Sequence, residues 1–250
     1  MSIPMTTLIE TRFTRPGSTN KPRLTKITPN LIVDIDEVGK TCFTTEELQE
    51  HCSRWEVSPN QGLVITEAGG TFCAPRLAWI LMNSGFSNVS VMKPGQLNGI
   101  EIDKQEFDKS LLSGLSAAGF VGKDEVAEAS HKAQQIIDVR GAARFSGDEA
   151  DPRPGVRAGH IPHSTNMPYK VFLSDNDDEV FLTVESLRVV FSEAGIDLHK
   201  PIVFSCGSGI TACIGALAAR LCGAKNVVVY DGSWADWGSD VTLPCATGHD

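Results

Sequence analysis

The most restrictive feature of this chain is an internal repeat. Sliding the first half forward by 138 positions without a gap sets Gly69 on Gly207, Ala74 on Ala212, Ala78 on Ala216, Gly85 on Gly223, Asn88 on Asn226, Val89 on Val227 and Val91 on Val229. Strand, loop, helix, glycine stop and next strand stay in step, which two copies of one strand-loop-helix-strand unit explain most simply. Under that register Cys206 falls on Ala68, so the first copy has the scaffold and lacks the thiol.

The second copy shows why the thiol matters. Pro201-Ile202-Val203-Phe204-Ser205 reads as a buried strand. Ala212 to Leu221 reads as a helix, with Ile214, Leu217, Ala218 and Leu221 at helical spacing and Gly223 as its stop. Between them runs Cys206-Gly207-Ser208-Gly209-Ile210-Thr211. The glycines tolerate positive φ, so the backbone can curl around the sulfur. Its N–H groups and those of the helix start then converge on one point, an arrangement that favours an anion. Thiolate is the nucleophilic form of cysteine. A lone cysteine after a core strand also reads as a buried structural residue; the flanking glycines favour the nucleophile.

The other predicted elements alternate in type. Leu31-Ile32-Val33 is a short apolar run, Thr44 to Leu48 carries a capping box, and Gly62 to Thr66 is a strand. Pro75 sits in the first turn of a helix from Ala74 to Asn83, and Val89 to Met92 is a strand. Further on, a helix near Asp124 to Gln134, the strand Ile136 to Val139, a helix capped by Thr183 and the strand Val227 to Tyr230 follow. Such alternation predicts an α/β fold of parallel sheets flanked by helices, with the site outside the strand carboxyl ends. Cys206, Asp231 and Arg140 lie at such ends. Little before Leu31 supplies counterparts for the helix and strand that open the second copy, so the first domain is expected to be incomplete.

Composition narrows the function. A chain of 250 residues with 41% hydrophobic content is one large domain or two small ones. No run reaches membrane-spanning length. A net charge of −9 argues against nucleic acid or an anionic membrane as the main partner. Seven cysteines without paired spacing indicate free thiols in a reducing compartment, and the lack of a C-x-x-C pair or a His/Cys cluster gives no metal site. Residues 1–26 hold Arg12, Arg15, Lys21, Arg23 and Lys26 against Glu10; they read as a solvated basic tail, with a weak mitochondrial presequence as the alternative.

Cys206 to Cys213, Tyr230-Asp231-Gly232-Ser233-Trp234, Asp138-Val139-Arg140, Ala143-Arg144-Phe145, Pro152-Arg153-Pro154-Gly155 and Gly159-His160-Ile161-Pro162 stand in one order. Together they closely resemble the catalytic half of the 3-mercaptopyruvate sulfurtransferases, members of the rhodanese family. The resemblance covers about residues 120–240 well and the first half more loosely. It implies two rhodanese-like domains: a basic tail at 1–26, a degenerate, non-catalytic domain at 27–105, a linker at 106–122, a catalytic domain at 123–242 and a C-terminal tail at 243–250.

The resemblance also implies chemistry. Cys206 would carry sulfur as a persulfide, held by the backbone of Gly207, Ser208, Gly209, Ile210 and Thr211. Arg144 and Arg153 would bind the donor's carboxylate, a task suited to the guanidinium fork. Ser208 and Asp36 match two members of the family's proton relay; the histidine that should follow Asp36 is absent between Glu37 and Glu50. His160 and His163 read as structural, Trp234 and Trp237 as core in preference to a wall of the site, and Arg140 as a partner of nearby acids. No cofactor or metal is implied. The expected partners are a small-molecule sulfur donor and a thiol acceptor such as thioredoxin or a small thiol, or cyanide, in the cytoplasm or mitochondrion. A thiosulfate sulfurtransferase and a non-catalytic persulfide carrier remain alternatives. A cysteine phosphatase is excluded, because the arginine it needs six positions after the cysteine is Ala212.

Overall fold

The computed structural model describes residues 6–12, 31–34, 43–67, 70–98, 100, 102, 105–132 and 134–248. Packing groups the chain into two units, Met1–Gly119 with Ser174–Val180, and Phe120–Leu173 with Phe181–Asp250.

The first unit is built on β1 (Thr7–Arg12), β2 (Leu31–Asp34), β3 (Leu63–Glu67) and β4 (Val89–Val91), all parallel in the order β2-β1-β3-β4. Its helices are α1 (Thr45–Trp55) and α2 (Ala74–Asn83). The capping box forms as the sequence indicates: Thr44 Oγ1 accepts from the Glu47 amide at 3.2 Å, and the Glu47 carboxylate accepts from the Thr44 amide at 2.8 Å. Leu8, Val64 and Leu97 form a buried cluster with Met92, Ile100 and Ile102 against it.

Strand β1 corrects the reading of 1–26 as a tail. It lies between β2 and β3, with Leu8 and Ile9 fully buried. Glu10 is buried too, which charge alone would forbid, but its carboxylate accepts from Arg12 Nε at 2.8 Å. Residues two apart on a strand share a face, so this pair forms locally. The linker at 106–122 is corrected as well. A 3-10 helix at Lys109–Gly114 buries Leu112, the Gln61 side chain donates to the carbonyls of Gln105 and Glu106, and Trp79 Nε1 donates to the Gly119 carbonyl at 2.9 Å. Residues 106–119 belong to the first unit.

The second unit contains β5 (Phe120–Val121), α3 (Lys123–His131), β6 (Gln135–Asp138), α4 (Ala142–Ser146), β7 (Ser164–Asn166), α5 (Val184–Glu193), β8 (Ile202–Ser205), α6 (Ala212–Leu221), β9 (Val227–Tyr230) and α7 (Ser233–Trp237). Its strands are parallel in the order β5-β9-β8-β6-β7. Read from the far edge, β7-β6-β8-β9 repeats β2-β1-β3-β4. Strand β1 is thus the counterpart of β6, which the sequence reading did not find before Leu31.

The apolar core of this unit gathers Val126, Ala129, Ile136, Ile161, Val203, Tyr230, Trp234 and Trp237. Helix α6 settles closely on β8 because Gly215 faces Phe204; a Cβ there would come within 2.6 Å of the ring. Residues 243–248 are part of the fold, not a tail. His160 and Ala246 exchange backbone hydrogen bonds at 2.8 and 3.0 Å, and Trp237 Nε1 donates to the Pro244 carbonyl.

Candidate active site

Cys206 stands directly after β8, a strand with neighbours on both sides, and is 1% exposed. The loop after it turns through Gly209 at φ +73°, the left-handed region that glycine enters without steric cost. Helix α7 holds this loop from outside. The amides of Trp234 and Ala235 donate to the carbonyls of Cys206 and Gly207, each at 3.0 Å. The hydroxyl oxygen of Ser233 accepts from the amides of Cys206 and Gly209, also at 3.0 Å. At the start of α6 the Cys213 thiol donates to the Gly209 carbonyl at 3.4 Å, so Cys213 is a packed loop tie.

Of the residues singled out in the sequence, the structure brings Arg153 to the loop. Its Nη2 lies 3.4 Å from the point that a Cβ on Gly207 would occupy. The Asp151 carboxylate, 1% exposed, fixes it by accepting from Arg153 Nη1 at 3.0 and 3.2 Å and from its amide at 3.0 Å. Arg144 sits on α4, which follows the carboxyl end of β6, and its Nε donates to Glu149 at 2.9 Å. Ser208 is half-buried on the loop. Asp36 lies outside the described residues.

Of the residues read as structural, Arg140 and His160 are packed inside the unit. Arg140 donates to Asp138 with two nitrogens and to the Gly159 carbonyl at 2.7 Å, while its guanidinium lies 4.7 Å from the Trp234 ring centre. His160 is buried, stacks on Phe145 at 3.7 Å and pairs through Nδ1 with the Phe145 carbonyl. His163 is exposed.

Comparison with known proteins agrees with this geometry. A model of the rhodanese-like domain matches residues 123–240. The chain is 34% identical over 200 residues to the 3-mercaptopyruvate sulfurtransferase of Escherichia coli (strain K12), covering 75% of this chain and 69% of that protein. It is 35% identical over 205 residues to the thiosulfate sulfurtransferase of Gallus gallus, covering 75% and 67%. The chain belongs to the rhodanese family. It is a sulfurtransferase, and its relatives' names carry both mercaptopyruvate and thiosulfate. The fold of the Tum1 protein from Saccharomyces cerevisiae matches with a TM-score of 0.80 over 100% of this chain and 94% of that one, at 24% identity.

Within this rhodanese the two copies differ in a way the gapless alignment hides. Helices α2 and α6 begin and end at matching positions of the 138-residue repeat, as do the starts of β4 and β9. The strands before the loops do not. Leu63 lies opposite Val89, whereas Ile202 lies opposite Val227, so β3 and β8 are one position out of that register. By strand register Thr66 matches Ser205, and both bury a hydroxyl with no hydrogen-bond partner among the described residues. The counterpart of Cys206 is therefore Glu67, not Ala68. Its carboxylate, 8% exposed, accepts from the amides of Phe72, Cys73 and Ala74 at 2.8, 2.7 and 3.2 Å. The first rhodanese copy keeps a built-in anion where the second keeps a sulfur.

Two residues that hold the loop and Arg153 in place escaped the sequence reading. Ser233 stood inside a recognised motif without a role, and its contact with the loop crosses 27 residues. Asp151 had a legible signal: an acid two positions before an arginine across Pro152 sets up a local turn with side-chain pairing.

Proposed function

We propose that this rhodanese moves the sulfur of 3-mercaptopyruvate, through a persulfide on Cys206, to a thiol or cyanide acceptor. The observation that carries the reading is Cys206 at the end of β8 in a loop immobilised by α7, with the Arg153 guanidinium set across Gly207. The Cys206 thiolate attacks the donor's sulfur. A sulfur–sulfur bond forms, the donor's carbon–sulfur bond breaks, and the carbon takes the electron pair and the proton first held by the donor thiol, giving pyruvate. Arg153 and Arg144 orient the carboxylate, since an arginine matches a carboxylate with two parallel bonds. The amides of Gly207, Ser208, Ile210 and Thr211 hold the charged outer sulfur, the role that preorganised donors play for developing anions, while that of Gly209, expected among them, donates to the Ser233 hydroxyl instead. An acceptor thiolate or cyanide then takes that sulfur and returns Cys206 to its starting form. A small thiol or thioredoxin suits the acceptor role. The first domain, with Glu67 in place of the nucleophile, is non-catalytic.

Thiosulfate is the second reading. Gly207 and Ser208 bring no charge to the loop, which disfavours a dianion, but Arg153 brings a cation to the same spot. Steady-state rates with both donors, together with mass spectrometry after incubation with mercaptopyruvate alone, decide the matter. The expected result is one added sulfur atom on Cys206, no transfer in Cys206→Ser, and a higher kcat/KM for mercaptopyruvate. Replacing Arg153 or Arg144 by Ala lowers kcat/KM for mercaptopyruvate by roughly ten- to a hundredfold, the worth of one hydrogen bond to a charged group. Preference for thiosulfate in the wild type, or full activity in both alanine variants, would overturn the assignment of the donor and of these arginines.

A further inference from the structure

Ser233 occupies an unusual position. It opens α7 at φ +52°, a left-handed conformation that residues other than glycine rarely adopt, and its side chain is fully buried. A hydroxyl has one proton to donate and two lone pairs to accept with. Both lone pairs are used, by the amides of Cys206 and Gly209. The proton has two acceptors in reach, the Tyr230 carbonyl at 2.7 Å and the Cys206 sulfur at 3.9 Å. Three of these four partners belong to the loop or to its sulfur-bearing residue, and the fourth ends the neighbouring strand β9.

We propose that Ser233 is a positioning residue for sulfur transfer: its oxygen fixes the loop through two amides, and its proton moves between the Tyr230 carbonyl and the Cys206 sulfur as that sulfur gains and loses charge. The idea rests on the reading of Cys206 as the sulfur carrier. With a neutral thiol, the short bond to Tyr230 holds the proton. When the sulfur is anionic, rotation about the Ser233 Cβ–Oγ bond turns the O–H toward it while the oxygen keeps its place between the two amides, because a hydrogen bond to a charged acceptor is about twice as strong as one to a neutral carbonyl. No proton is transferred; the O–H bond stays intact. The backbone strain at Ser233 is consistent with a site where geometry is held for function. Glycine, the residue best suited to that φ, would lack the hydroxyl.

The test compares Ser233→Ala with Ser233→Gly. Both remove the hydroxyl, and the glycine variant also relieves the left-handed φ, so it keeps the fold where the alanine variant loses stability. The readout is the pH–rate profile of Cys206 alkylation by iodoacetamide, followed by mass spectrometry, since only the thiolate reacts. At neutral pH both variants should react about five- to tenfold more slowly than the wild type, and the rates should converge near pH 10, above the ordinary cysteine range. A merely structural role would give the opposite: a loosened loop exposes Cys206 and speeds its alkylation at every pH. Equal or faster alkylation at neutral pH in a folded Ser233→Gly variant overturns the proposal, as does a wild-type Cys206 that resists alkylation throughout. Sulfur loading of the wild type from mercaptopyruvate is measured alongside. If loading fails while the alkylation shift appears, the carrier reading is wrong and the Ser233 contact stands.

Discussion

The Arg153 guanidinium lies across Gly207, with Nη2 3.4 Å from the place of a Cβ on that glycine. Position 207 is thus the face of the loop that meets the charge, and any side chain there speaks to Arg153 first. A second arginine at 207 would not simply add charge for a dianionic donor; it would set one guanidinium against another. An acid there would pair with Arg153 and withdraw it from the donor.

Gly207→Asp should therefore raise the KM for mercaptopyruvate by roughly tenfold, because the new carboxylate competes for a charge-assisted bond. Gly207→Ala should have a far smaller effect, since 3.4 Å is ordinary contact and the arginine can yield by a few tenths of an ångström. Steady-state kinetics of the two variants checks this. Equal KM values in Gly207→Asp and wild type would show that Arg153 does not act on the donor.

Glu67 gives a prediction about stability. Its carboxylate accepts three amides and is nearly buried. Glu67→Ala leaves those amides without their acceptor and should destabilise the protein by about 1–3 kcal/mol, the cost of unsatisfied buried polar groups. Urea unfolding followed by tryptophan fluorescence measures it. A small anion such as formate should restore part of the loss in Glu67→Ala and none in wild type. Equal responses of the two proteins to formate would count against the internal-anion reading.

The thiols should differ sharply in reactivity. Burial pushes the Cys52 thiol up to about 12, and burial also raises Cys222, against a smaller opposing effect from Arg188. Both remain protonated at neutral pH, and the protonated thiol is the inert form. Mass spectrometry of the folded protein after brief alkylation at pH 8 should find no label on Cys52. Rapid labelling of Cys52 would mean that α1 opens on that timescale. Cys73→Ser and Cys222→Ser should keep sulfur transfer.

The acid limb of stability has a local source. A hydrogen bond from the Thr242 hydroxyl, then its amide and Lys123, holds the Asp240 carboxyl down at about 2. Its folded value lies below the ordinary 3.8, so its stabilising contribution is complete above that value and is lost as pH falls through about 2. In Thr242→Val the hydroxyl is gone and the titration of Asp240 should move up toward 3.8. Carboxyl-carbon NMR titration of both proteins tests this; an unmoved Asp240 would assign the effect to the Thr242 amide and Lys123.

Periodicity and turn chemistry act over a few residues, and what depends on them was legible in the sequence. The helix limits Ala74–Asn83 and Ala212–Leu221, the Thr44 capping box, the glycine stops at Gly85 and Gly223, and Cys206 at a strand end all follow from local preferences. The family motifs added Arg153 and its neighbourhood. Short strands were harder to read. Thr7–Arg12 has a polar residue at every position but Leu8 and Ile9, and only its place between two strands, with Arg12 neutralising Glu10, makes it a core element.

The sequence by itself determined the repeat, the α/β alternation and the cysteine loop, because each is written in residues close along the chain. Only the tertiary structure decided which groups meet. The hydrogen-bond ladder between β3 and β4, one position out of the gapless register, made Glu67 the counterpart of Cys206 in the first copy. The packing of α7 against the loop brought Ser233 to Cys206 across 27 residues. Neither distance along the chain nor residue type encodes such meetings; they arise when parallel strands choose their register and helices settle over the sheet.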